Sequence, residues 1–217
     1  MFKPNMVERI IHKLKVKLEK VLAPIKRNFL KNKDFTIISN NCWGGICYEA
    51  YGLPKNSPTI GGYFFAEDYL KFVSNLEYYA SLDIKMVPVT ESKRADSLLE
   101  RDGRPIWIGV LDDVEFVALH YADPQIAHDK WMRRVKRINW DNLIFKFSFQ
   151  NDCTYEQLKE FDELELHGKK LMFVNKPNHP YHCGIYYRGF ENDEQLYNDT
   201  FYWNKYINVT KFLNNEI

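Results

Sequence analysis

The feature that most constrains the fold is an alternation. Short apolar runs rich in β-branched and aromatic residues are separated by stretches whose apolar residues recur at helical spacing. Residues 35–39, 84–89, 143–149 and 170–175 each have the length and composition of a buried strand. Between them, residues 66–80 place Tyr69, Leu70, Phe72, Val73, Leu76 and Tyr79 on one wide apolar face. Asp123-Pro124 pairs an N-cap with proline at the first helical position and opens a helix to about Arg137. Thr154 and Gln157 have capping-box spacing and open another to about Leu164. Runs 106–110 and 114–121 flank Leu111-Asp112-Asp113 as a hairpin, Ile185-Tyr186-Tyr187 is strand-like, and a last helix follows Asn208. Strands alternating with helices predict an α/β fold: one three-layer domain with a mainly parallel, Rossmann-like sheet plus a β-hairpin.

An amphipathic helix precedes this domain. Val7, Ile10, Ile11, Leu14, Leu18, Val21, Leu22 and Ile25 follow the helical period over residues 6–25, Lys13, Lys15, Lys17 and Lys20 flank the stripe, and Pro24 ends or kinks it. Residues 1–33 hold ten Lys and Arg against Glu8 and Glu19, a net charge of +8, which leaves the rest of the chain at −7 because the whole is +1. The division expected is therefore a basic helical extension, 1–33, and an α/β domain, 34–217. Such a helix suits peripheral contact with an anionic membrane, or packing on the domain or a partner with its lysines solvated. The acidic remainder argues against nucleic acid as a partner. Cys42, Cys47, Cys153 and Cys183 form no CxxC pair, which fits a reducing compartment. No run approaches the roughly 20 apolar residues of a spanning helix, and no signal-peptide core is read. The expectation is a cytoplasmic protein, peripheral on the inner face of the membrane if the helix docks there.

Chemistry is expected where the first strand ends. In open α/β sheets ligands collect beyond the carboxyl ends of strands, and there the sequence reads Ser39-Asn40-Asn41-Cys42-Trp43-Gly44-Gly45. Gly44 and Gly45 allow close backbone approach at a helix start, Asn41 could donate to an oxyanion, and Cys42 is a candidate nucleophile or simply a small buried residue. His120, followed by Tyr121 at a strand end, is a candidate general base. Arg133, Arg134 and Arg137, among Trp131 and Trp140, suit phosphate or carboxylate groups. Asp112-Asp113 is a poor substitute for a metal-binding Asp-x-Asp. His179-Pro180-Tyr181-His182-Cys183 matches no zinc spacing, so no metal is expected. The many tail aromatics could stack on sugars but suit a core equally well.

Four ordered motifs carry a resemblance: the Ile37–Gly45 turn, Ser57-Pro58-Thr59, Leu119-His120-Tyr121, and the block from Trp131 to Asn142. Over residues 34–215 the chain resembles bacterial exopolysaccharide or capsular-polysaccharide biosynthesis proteins that carry a domain of unknown function. The turn is also similar to that of coenzyme A-binding capsule proteins and acetyltransferases, where a strand ends in Gly-Asn-Cys; Asn41-Cys42 match, and Asn40 replaces the glycine. The resemblance implies an acyltransferase, O-acetyl in type, that acts on a glycan or glycan precursor with no tightly bound cofactor and acetyl-CoA as donor. Cys42, His120 and Asn41 would be catalytic. Asn40, Trp43, Gly44, Gly45, Ser57, Tyr121, Arg133, Arg134 and Arg137 would line the donor and substrate sites. A nucleotide-sugar glycosyl- or phosphoglycosyl-transferase, and a membrane-docked scaffold without catalysis, are the alternatives.

Overall fold

The computed structural model describes residues 6–102, 105–196 and 199–217. In chain order the elements are α1 (Met6–Asn28), β1 (Thr36–Ser39), α2 (Trp43–Ala50), α3 (Ala66–Ser74), α4 (Leu76–Ser81), β2 (Lys85–Pro88), α5 (Ala95–Asp102), β3 (Trp107–Leu111), β4 (Val114–Ala118), α6 (Pro124–Val135), β5 (Leu143–Ser148), α7 (Tyr155–Glu163), β6 (Lys169–Val174), β7 (Gly184–Tyr186) and α8 (Val209–Leu213). The expected α/β architecture with a parallel sheet is present. β1, β5, β6 and β7 pair in that order, all parallel, with Thr36 opposite Leu143 and Met172 opposite Gly184.

β5 is buried along its whole length, as a parallel strand covered on both faces must be. Phe147 faces one layer, where Tyr69 of α3 stacks on it at 5.2 Å and Phe161 of α7 lies 5.1 Å away. Lys146 and Ser148 face the other layer, formed by α2 and the C-terminal segment; there Trp43 meets Phe173 of β6 edge-on.

The hairpin also forms, but in a separate sheet. β2, β3 and β4 are antiparallel in that order, so the run at 84–89 does not join the parallel sheet. Alternation explains how this second sheet serves two cores. Val114, Phe116 and Ala118 face the main core, while Val117 faces a smaller cluster with Leu98 of α5, Ile108 and Val87. Three local expectations shift. The helix expected over 66–80 is two helices broken at Asn75, α5 occupies a stretch the periodicity did not mark, and Pro24 lies within α1 without ending it.

One short strap, residues 61–64, joins the two sheets. Phe64 N donates to Asn40 O at the end of β1 (3.0 Å), while Tyr63 and Val117 exchange backbone hydrogen bonds at 3.0 and 2.8 Å. The approach is close because residues 61 and 62 are glycines. Gly61 has φ +94, and a Cβ on Gly62 would stand 2.2 Å from Val117 O. Gly62→Ala is therefore expected to destabilise the fold by about 1–3 kcal/mol through overpacking, read as a lower denaturant midpoint at unchanged slope; an unchanged midpoint would contradict the strap's role.

Candidate active site

The carboxyl end of β1 is fixed before any candidate reactive group appears. Asn40 is fully buried; its N–H donates to Lys146 O (3.2 Å) and its Nδ2 to Ser148 O (3.2 Å), stitching β1 to β5. The chain then turns into α2 with Cys42 at the N-cap position. Cys42 makes no side-chain cap. Instead Asn41 Oδ1 accepts from Trp43 N at 3.0 Å, which satisfies a first-turn amide and leaves the thiol unused by the helix. Cys42 Sγ lies 3.3 Å from His120 Nε2 and 3.7 Å from Gly62 O. His120 reaches it from the turn after β4, held by its N–H donating to Gly61 O at 2.9 Å. The strap thus sets the thiol–imidazole distance from both sides.

A buried ionic cluster stands behind the thiol. Lys146, in the middle of β5, has no exposed surface; its Nζ donates to Asp199 Oδ2 (2.5 Å), Asn41 Oδ1 (3.1 Å) and Ser148 Oγ. Asp199 also accepts from Ser148 Oγ at 2.6 Å and from Asn41 Nδ2, 2.9 Å from each carboxylate oxygen. Burial alone would raise the Asp199 carboxyl; the Lys146 charge and these hydrogen bonds outweigh it and hold the carboxyl below its ordinary range.

Burial raises the Cys42 thiol from 9.0 to about 11, with Asp199's charge pushing the same way and Lys146 and Lys55 opposing. The resting group at neutral pH is the thiol, and a base at hydrogen-bond distance is what would make it a nucleophile.

The pair opens on a cleft of about 630 Å³. Its walls carry Lys55, Arg101, Lys130 and Arg134 against Glu49 and Asp199, a cationic lining suited to phosphate or carboxylate. Arg101 lies over the Tyr63 ring at 4.7 Å and Lys130 over Tyr121 at 5.2 Å. Beside Arg101's partner Asn151, Gln150 keeps a buried Nε2 without a protein acceptor. Asn151 and Asp152 both hold positive φ, 56 and 61, a strained pair at the end of β5.

Of the residues singled out in the sequence, the structure brings Asn41, Cys42, Gly45, His120, Tyr121 and Arg134 to this cleft. Their tasks differ from those expected. Asn41's amide is committed to Asp199 rather than aimed at an oxyanion. Arg134 is buried, its Nη1 donating to Ile60 O (2.9 Å) and Tyr121 Oη (2.7 Å), so it braces the wall. The others lie off the cleft. Asn40 is spent on β5. Trp43 is buried, with its Nε1 on Trp203 O at 2.9 Å. Gly44 packs on Ile37, and Ser57 is buried against Thr59 beneath β1. Arg133 and Arg137 are exposed on α6 and in the turn after it, and neither lines the cleft. Asp112 and Asp113 accept from Tyr78 and Tyr79 at 2.9 and 2.7 Å. Asp162 takes the amides of His182 and Cys183, each at 2.9 Å. Among the described residues no cluster of three or more His, Cys, Asp or Glu could hold a metal ion.

Sequence reasoning missed Lys146, Ser148, Asp199, Lys55, Arg101 and Lys130. A charged residue inside the apolar run 143–149 was the available signal for Lys146, since an isolated buried lysine demands a partner. Nothing local marked Asp199, 53 residues further on.

Lys146→Met leaves a buried carboxylate without its cation and is expected to cost about 3–5 kcal/mol, with much of the loss recovered by adding Asp199→Asn; denaturant titrations of the three variants measure this. The depressed Asp199 carboxyl contributes stability that is present above the ordinary carboxylate range and lost as pH falls through its folded value, so the recovered double variant should show a flatter acid limb. Alkylation of Cys42 by iodoacetamide, followed by peptide mass, should be slow at neutral pH and climb toward about pH 11, and fast labelling at pH 7 would count against a protonated resting thiol.

A family model described as "Domain of unknown function (DUF1919)" matches residues 13–215. An uncharacterized protein of Haemophilus influenzae is 28% identical over 167 residues, 77% of this chain and 74% of that protein.

Proposed function

The chain belongs to the DUF1919 family, and from that premise we propose that it transfers an acyl group through Cys42, taking it from a phosphate-bearing thioester such as acetyl-CoA and giving it to a hydroxyl of a glycan or glycan precursor in exopolysaccharide or capsule biosynthesis. One observation carries the reading: a thiol 3.3 Å from an imidazole nitrogen, at the start of a helix, inside a cationic cleft. The polysaccharide context rests on the sequence resemblance alone.

The reaction divides into two steps. His120 Nε2 takes the thiol proton as Cys42 Sγ attacks the thioester carbonyl. Trp43's amide is occupied by Asn41, so the first-turn amide of Gly45, which lines the cleft and has no intrahelical acceptor, would receive the oxyanion. The carbonyl re-forms, the donor thiolate leaves with the proton from His120, and the acyl group stays on Cys42. In the second step His120 deprotonates the sugar hydroxyl, the alkoxide attacks the acyl-cysteine, and Cys42 departs as thiolate and regains the proton. Lys55, Lys130 and Arg101 would hold the donor's phosphates or an acidic acceptor. A thiol raised to about 11 suits the scheme: it forms no standing thiolate to react with oxidants, yet is a good nucleophile once its proton is removed.

Incubation with acetyl-CoA and extracted polysaccharide should release CoA and leave one acetyl group on Cys42 in the intact mass. Cys42→Ala should abolish both, and His120→Ala should slow acylation by about 10²–10⁴-fold. Absence of CoA release together with absence of calorimetric CoA binding would remove the proposal.

A further inference from the structure

Among the described residues, one face of α1 stands open to solvent. Leu14, Leu18, Val21 and Ile25 are 61%, 56%, 73% and 56% exposed, and Phe29, just beyond the helix, is 66% exposed. At 3.6 residues per turn the four helical positions fall within an arc of about 60°. Ala23, buried at 4%, lies nearly opposite, about 170° from the centre of that arc. The helix is attached to the body by that opposite side: it packs on α2, a Cβ on Gly52 would meet Ala23 at 3.4 Å, and Arg27 Nη1 donates to Gly52 O at 3.2 Å. The stripe is therefore aimed away from the core by the way the helix is docked.

We infer that α1 holds this protein on an anionic lipid bilayer, lying in the interface plane with Leu14, Leu18, Val21, Ile25 and Phe29 inserted. Three observations select that occupant. Lys17 and Lys20 are exposed on one flank of the stripe, within a segment, residues 1–33, of net charge +8. Helix-to-helix pairing with a second copy would set +8 against +8. Off this segment the exposed large apolar residues (Tyr78, Leu99, Ile126, Trp140, Tyr155 and Ile217) are scattered over separate elements, so among the described residues no second stripe is offered to receive it. Among the described residues no helix is long and apolar enough to cross a membrane, which leaves the surface-lying mode. The remainder of the chain, at −7, is repelled by the same lipid charge, so contact is confined to α1 and the body stands off the surface.

This inference is independent of the chemistry at Cys42. Flotation of the full chain with phosphatidylcholine vesicles that carry about 30 mol % phosphatidylglycerol should show binding that falls at least about tenfold on pure phosphatidylcholine or in high salt. Leu18→Asp with Val21→Asp, and separately Lys17→Glu with Lys20→Glu, should each weaken binding by about tenfold or more. Melting should be unchanged because all four side chains are exposed. Cys42→Ser should float like the parent. Failure of the parent to float, equal flotation of the Leu18/Val21 variant, or a parent dimer in light scattering that this variant converts to monomer would overturn it.

Discussion

Lys146 stands in the middle of the parallel sheet with no exposed surface, and its ammonium group has to find opposite charge where it is. That demand organises one whole side of the molecule. Asp199 comes from the C-terminal segment, crosses beneath α2 and closes on Lys146, Ser148 and Asn41. The tail that brings it also supplies Trp203, whose carbonyl accepts from Trp43, and Tyr187, packed 4.4 Å from Phe173. A buried ion pair adds little net stability against an apolar replacement, so its use lies in register. It holds the segment after β7 against β5 at Asp199 and sets what stands behind the thiol.

The thiol site is a by-product of two sheets meeting. Neither sheet carries it alone: Cys42 leaves the parallel sheet, and His120 leaves the antiparallel one. The strap through Gly61 and Gly62 hydrogen-bonds to both and leaves no room for a Cβ, so the two chain ends are brought to 3.3 Å by backbone geometry. Arg134 reinforces the far wall by tying Tyr121 to Ile60. The same Asp199 that pins the tail pushes the thiol upward, while Lys146 pulls it down, so the cluster that builds the site also tunes its proton affinity.

The apolar face of α1 belongs to a different logic. Elsewhere the exposed large apolar residues are scattered singly over separate elements, whereas five in and just beyond one helix stay open to solvent side by side. A folded chain leaves such a stripe uncovered when the covering surface lies elsewhere.

The sequence by itself determined most of the element types, the parallel sheet, the hairpin, the amphipathic helix and the position of Cys42 at a strand end. All of these follow from local periodicity and local turn chemistry, which a chain carries with it. Asn41 and His120 were legible as neighbours of the cleft, but their partners were not. Only the tertiary structure decided that β2, β3 and β4 form their own sheet, that Asn41 serves Asp199 instead of a reacting carbonyl, that Arg134 braces the cleft wall while Arg133 and Arg137 stay exposed off it, and that Lys146 and Asp199 pair. The physical reason is common to all four. Each depends on which groups from separate segments of the chain meet, and that is settled by burying charge and apolar area together, not by the residues on either side.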